Sequence, residues 1–264
     1  MSGFGAGRRK RPAFYVSCTA KVIVHGTLKE DSEKRATLLI YDFEFFSYRS
    51  ARIKEANILF EFQPGPGRIG GGPTVQKVAP YATHVLMQTT QTETRTIALD
   101  GGVSGGAIVD INTNLSAEKA VEKTTTWAAE ITGARPFDDW GNYMVAQWSL
   151  KENASQQNGI VSLFRACILL TRDDDQQFCC IPSIKVKPDL KSQVLSLFSS
   201  RAPDEPIVFD PAYNPYNLLE DGVEIDEQNL GAVAEGFDGL WDCTFHKKFG
   251  DAVKESRAAV EPKK

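Results

Sequence analysis

Histidine is scarce in this chain of 264 residues. Its three copies, His25, His84 and His246, lie far apart, and none falls in an HxH or HExxH spacing. A zinc centre therefore has no support, because such sites draw on closely spaced imidazoles and thiols. Cysteine is also sparse: Cys18, Cys167, Cys179, Cys180 and Cys243 make an odd number and form no CxxC pair. Spread through apparent strands, they read as free, buried thiols of a reducing compartment. No run approaches the ~18 apolar residues of a membrane-spanning helix. The start, Met1 to Pro12, has no apolar stretch behind its basic residues and does not read as a secretory signal. A cytoplasmic location is expected, and the glycosylation patterns at Asn114-Leu-Ser116 and Asn153-Ala-Ser155 then carry no consequence. There is no GxSxG elbow, P-loop or kinase motif, and no repeat of 20–50 residues. A net charge of -4 speaks against a basic coat for nucleic acid.

What is present is period-two alternation in a chain that is 42% apolar and 24% charged, enough for a sizeable core. Phe14, Val16, Cys18, Ala20, Val22 and Val24 alternate with polar residues, which predicts one long half-buried strand. Leu39, Tyr41, Phe43 and Phe45 share a face in a second strand. Ala56, Ile58, Phe60 and Phe62 do so in a third, with Asn57 and Glu61 outward. Met144, Ala146, Trp148 and Leu150 form a further strand face after a turn at Asp138 to Asn142. Phe164 to Leu170 and Phe178 to Val186 read as the arms of a hairpin turning at Arg172 to Gln177, with Pro182 marking an edge or a bulge. Helical spacing is confined to Leu190 to Ser199, capped by Asp189, and to Phe245 to Val253. Pro203 to Leu219 reads as a Pro/Asn/Tyr-rich connection. The fold class expected is all-β: a two-sheet antiparallel β-sandwich with one or two short added helices. Residues 1–12 form a basic arm, 13–249 one sandwich domain and 250–264 a terminal helix or tail.

Four features invite a functional reading. Gly65-Pro-Gly67-Arg-Ile-Gly70 matches GxGxxG, but Gly71, Gly72 and Pro73 follow, so no helix can start there to meet a pyrophosphate. A hairpin loop fits better. Asp173, Asp174 and Asp175 crowd one turn and are weak candidates for calcium, since three adjacent side chains cannot all reach one ion. A solvated turn is the plainer reading. Arg8, Arg9, Lys10 and Arg11 make a basic arm, read as a solvated tail, an anionic-membrane contact, a nuclear address or an RNA-touching arm. Finally, Thr92 to Ile131 is long, alternating and dense in Thr, Ser, Gly and Ala. Soluble pore-formers carry segments of this kind, and a spanning strand needs only ~9–11 alternating residues. Two ordinary sheet strands joined by a polar connection explain the same pattern.

Trp148-Ser-Leu-Lys-Glu-Asn153, with Ser155-Gln156 and Gly159-Ile160, resembles a family of uncharacterised β-rich proteins of filamentous fungi. Arg165, Ile168-Leu-Leu170, Arg172-Asp-Asp174, Phe178, Leu240-Trp241-Asp242, Ala51-Arg-Ile-Lys54 and Phe60-Glu-Phe62 agree with it. The resemblance implies a fungal, cytosolic protein and brings no catalytic or binding residues. Gasdermin-like fungal cell-death proteins are similar in length and β content, without a shared motif. Three functional expectations result. One is a non-catalytic binding or assembly protein working through protein contacts, itself included, with no cofactor and no nucleic acid. Another is a membrane-binding or pore-forming β protein using residues 92–131. An enzyme without a recognisable motif is a third.

Overall fold

The computed structural model describes residues 14–30, 32–48, 51–98, 118–189, 206–219, 225–233, 236–245, 247–248 and 251–252. The basic arm, the helix expected over Leu190 to Ser199, His246 and the centre of the alternating stretch lie outside the described residues.

Fourteen strands are described: β1 (Phe14–Thr27), β2 (Arg35–Ser47), β3 (Ile53–Pro64), β4 (Thr74–Ala79), β5 (Ala82–Ala98), β6 (Glu118–Ala134), β7 (Val145–Lys151), β8 (Leu163–Arg172), β9 (Phe178–Pro188), β10 (Ile207–Phe209), β11 (Tyr216–Asn217), β12 (Asp242–Thr244), β13 (Lys247–Lys248) and β14 (Asp251–Ala252). Two short helices, α1 (Leu230–Val233) and α2 (Phe237–Leu240), complete them. The first sheet runs β11-β1-β2-β8-β12, with β4 also paired to β8; the second runs β10-β9-β3-β7-β6-β5. Every ladder is antiparallel. The protein is thus an all-β sandwich of two antiparallel sheets with short helical additions.

Alternation builds the second sheet as expected. Ala56, Ile58, Phe60 and Phe62 of β3 and Ala146, Trp148 and Leu150 of β7 are buried, with less buried residues between them. Across the interface, Tyr41 and Phe43 of β2 meet the Phe60 ring at 5.0 and 6.1 Å between centroids. Trp148 packs edge-on against Phe60 and Phe164, and its indole N–H donates to the Pro80 carbonyl at 3.2 Å. Gly133 of β6 lies under this bond, and a Cβ there would collide with the Pro80 carbonyl and the Trp148 indole. Gly133→Ala is expected to lower stability by about 1–3 kcal/mol, the usual range for overpacking, read as a lower urea midpoint at unchanged slope.

The first sheet departs from simple alternation. Ala36 to Phe43 of β2 and Phe164, Ala166 and Cys167 to Leu170 of β8 are buried on both faces. One face meets the second sheet; the other is covered by α1 against β2 and α2 against β8, through Leu230 and Phe237. In β1 the single apolar face expected from Phe14 to Val24 is broken. The register with β2 shifts between Ala20 and Val22, leaving Lys21 as a bulge. Directly opposed residues share a face. Ala20 lies opposite Tyr41, facing inward, whereas Val22 and Val24 lie opposite Ile40 and Leu38. Ile23 and His25 therefore continue the inner face.

Two further expectations are corrected. Phe164 to Val186 is not a hairpin: β8 belongs to the first sheet and β9 to the second, so Asp173 to Gln177 carries the chain between layers. Where a helix was expected near Phe245 to Val253, Lys247–Lys248 pairs with Asp251–Ala252 as a short antiparallel ladder. The edge character read from Pro182 does hold. It sits opposite Phe60 of β3, and β10 covers only Phe178 to Cys180 on the other side.

Candidate functional site

The most distinctive element is the ribbon formed by β5 and β6, seventeen residues each. The strands pair from Ala82↔Gly133 to Ala98↔Glu118. Only Glu130 to Ala134 of β6 also pairs with β7. From Thr89 to Ala98 and from Glu118 to Trp127, each arm ladders only with the other among the described residues. Thr dominates the sequence of both arms, as Thr89, Thr90, Thr92, Thr94, Thr96, Thr124, Thr125 and Thr126. β-Branched residues favour the extended chain, and Thr does so without an apolar surface. Both sets of alternate positions include charge: Thr94 and Ala98 lie opposite Glu122 and Glu118, and Glu93 and Arg95 lie opposite Lys123 and Val121.

The ribbon bends where it leaves the body. The register slips between Leu86 and Thr89, and Met87 adopts φ 47°, a left-handed conformation uncommon outside glycine. Leu86 and Ala129 are the last buried side chains on the body side of the bend. Asn153, 2% exposed, holds the bend from below. Its amide nitrogen donates to the Met87 carbonyl at 2.7 Å, the Thr89 hydroxyl at 3.0 Å and the Trp127 carbonyl at 3.4 Å. Its oxygen accepts from the Ser155 and Gln156 amides at 3.0 and 3.3 Å. The preceding Glu152, also buried, pairs with Arg52 at 3.0 Å and accepts from the Gly159 amide. The segment after β7 is thus fixed to the body by Glu152 and to the ribbon by Asn153. The bonds of Asn153 to the ribbon reach residues 26 to 66 positions away, which no local sequence pattern marks.

The other sequence candidates are placed as follows. Asp174 pairs with Arg68 at 2.7 Å, and Asp175 with Arg35 at 3.0 Å and Arg172 at 3.4 Å. The hydrogen bond from Arg68 is the main cause holding the Asp174 carboxyl below its ordinary range. Arginines therefore occupy two of the three carboxylates proposed for calcium, and no group of His, Cys, Asp and Glu suited to a metal occurs among the described residues. Gly65 to Gly72 is a loop between β3 and β4, with Gly67, Gly70 and Gly71 at positive φ and a strand, not a helix, after it. His84 rests against Trp241 at 4.8 Å, while His25 lies on the inner face of β1. No disulfide joins any of the five cysteines. Cys167, Cys179, Cys180 and Cys243 are buried as expected, whereas Cys18 is exposed on β1; desolvation by its neighbours, then the Asp42 carboxylate, still pushes its thiol up to about 12. Asp42 itself is buried and gripped by the Arg165 guanidinium at 2.7 and 2.9 Å, an ion pair internal to the first sheet. No helix among the described residues is long and apolar enough to cross a membrane, which leaves crossing by strands open.

No family model matches the chain, and no curated protein matches it. Among solved structures, one described as "Pore forming protein" superposes on 66% of this chain and 79% of its own, at 9% identity and a TM-score of 0.35.

Proposed function

We propose that the protein binds membranes and contributes the β5–β6 ribbon to an oligomeric transmembrane β-barrel. One observation supports this: an antiparallel ribbon leaves the sandwich at a bulge, and beyond it the arms pair only with each other among the described residues. The described arm from Thr89 to Ala98 is about 33 Å long at ~3.3 Å per residue, which sets how far the ribbon reaches from the sandwich. Residues 99–117 add length and supply Val103, Ala107, Val109, Ile111 and Leu115. The Thr-rich arms serve as the stalk of the barrel, and the alternating stretch between them enters the bilayer. Water is absent there, so each backbone group needs a strand partner and the sheet must close. The smallest such barrels have about eight strands, hence at least about four copies of one hairpin. The partners on this reading are an anionic membrane and further copies of the chain, with Arg8, Arg9, Lys10 and Arg11 giving the first contact. No cofactor and no covalent chemistry are involved.

The test is dye release from anionic liposomes, with neutral liposomes as control. Release with oligomers in the membrane fraction is the expected result, and neutralising Arg8 to Arg11 weakens it. No release together with no co-sedimentation would overturn the proposal. A second reading, assembly through protein contacts alone, is favoured by β5 being an edge strand of its sheet. It predicts oligomers in lipid-free solution by sedimentation velocity.

A further inference from the structure

A second feature lies away from the ribbon, on the inner face of β1. The bulge at Lys21 brings Cys18, Ala20, Ile23 and His25 to one side of a cleft of about 520 Å³. The opposite wall is the segment from Val208 to Tyr216, tied down where Tyr216 pairs with Ile23 and where the Tyr213 amide donates to the Asp210 carbonyl. Phe209 forms the base. It stacks on Phe178 at 5.0 Å, and Phe178 meets His25 edge-on at 6.1 Å. Tyr213 and Tyr216 stand at the rim, 76% and 43% exposed.

The charge of this cleft is one-sided. Its lining contains no Lys or Arg and one carboxylate, Asp210. Gln177 donates to Asp210 at 2.8 Å and the Ala212 amide at 3.0 Å, and these bonds hold its carboxyl below the ordinary range. Burial, followed by Arg172, lowers His25 to about 4, so the imidazole adds no positive charge at neutral pH. Two tyrosine faces, an apolar floor and a single anion complement a cation with an apolar skin. Quaternary ammonium groups fit that description, because they cannot donate hydrogen bonds and are held by the negative faces of aromatic rings. Thr19 and Asn214 complete the lining.

We propose that the cleft between β1 and residues 208–216 is a binding site for a trimethylammonium group, of the kind carried by choline. The site is independent of the ribbon and of any membrane insertion. Tyr213 and Tyr216 supply the ring faces, and Asp210 supplies the counter-charge.

The test uses the full chain in solution and choline chloride as the probe, followed by ¹H–¹⁵N NMR. Saturable shifts are expected, confined to residues 18–25 and 208–216. The carbon isostere 3,3-dimethyl-1-butanol, neutral but of the same shape, is expected to bind about tenfold more weakly. Tyr213→Ala and Asp210→Asn each weaken choline by a similar factor, whereas Tyr213→Phe, which keeps the ring, leaves it unchanged. Equal binding of the neutral isostere would overturn the proposal. So would saturation by a neutral monosaccharide in place of choline, or no saturable shift at all. Phosphatidylcholine vesicles and free choline, run in parallel, tell a lipid headgroup from a soluble ligand: choline competes the protein off vesicles only if the headgroup occupies the cleft. Because the probe acts without a bilayer, failure here and failure of dye release are separate results.

Discussion

A chain in which residues 92–124 are replaced by Asn-Gly is expected to keep its thermal midpoint and lose all dye release. Gln91 lies opposite Thr125, so two residues between them suffice for a tight hairpin of the type that Asn-Gly favours. Among the described residues the excised arms ladder only with each other, while the Glu130 to Ala134 ladder to β7 remains. The buried residues Leu86, Ala129 and Ile131 at the base are also untouched. Stability and activity should therefore separate. Undiminished release from the shortened chain would exclude the ribbon as the membrane element. A broad, non-cooperative melt would mean that the ribbon belongs to the folding unit.

Asn153→Leu is expected to loosen the bend of the ribbon and leave the sandwich intact. The substitution keeps the branched shape of the side chain but strips the Met87 carbonyl and the Ser155 amide of their partner. A buried polar group left unpaired costs about 1–3 kcal/mol. At about 2 kcal/mol, backbone hydrogen exchange over Thr89 to Gln91 and Thr125 to Trp127 accelerates roughly thirtyfold. Exchange over Leu38 to Ile40 should not change, since those amides sit in the β2–β8 ladder. Asn153→Asp separates the two halves of the clamp: it keeps the acceptor for Ser155 and loses the donor to Met87. If ribbon release limits membrane insertion, both variants release dye faster than the parent chain. Uniformly faster exchange across the core would show that Asn153 supports the whole fold and not the bend.

Much of the architecture was legible because burial on one face writes itself as period two. The face of Ala56, Ile58, Phe60 and Phe62 is such a case. Legibility failed where the deciding contact is distant. Nothing around Lys21 marks a bulge, since no Gly or Pro interrupts β1 there. The turn at Asp173 to Gln177 has the composition of a hairpin turn, yet Arg35 and Arg68, from two other parts of the chain, hold it as a bridge between sheets. Leu38 to Tyr41 and Ile168 to Leu170 are unbroken apolar runs, the mark of strands covered on both sides. Alternation alone concealed that covering layer. The alternating stretch itself stood out in the sequence, but Asn153 beneath its bend did not. The cleft was hidden in a segment that read as a mere connection, because Tyr213 and Tyr216 gain meaning only when β1 faces them.

The ribbon leaves and re-enters the sandwich at neighbouring points, with Ala82 directly opposite Gly133. Joining two ends already held together costs little chain entropy, and that cost grows only with the logarithm of what lies between them. Residues inserted or removed in register pairs beyond Thr92 and Thr124 therefore leave the sandwich nearly unaffected. Reach becomes a quantity that mutation can vary on its own, so one body can carry hairpins cut to bilayers of different thickness.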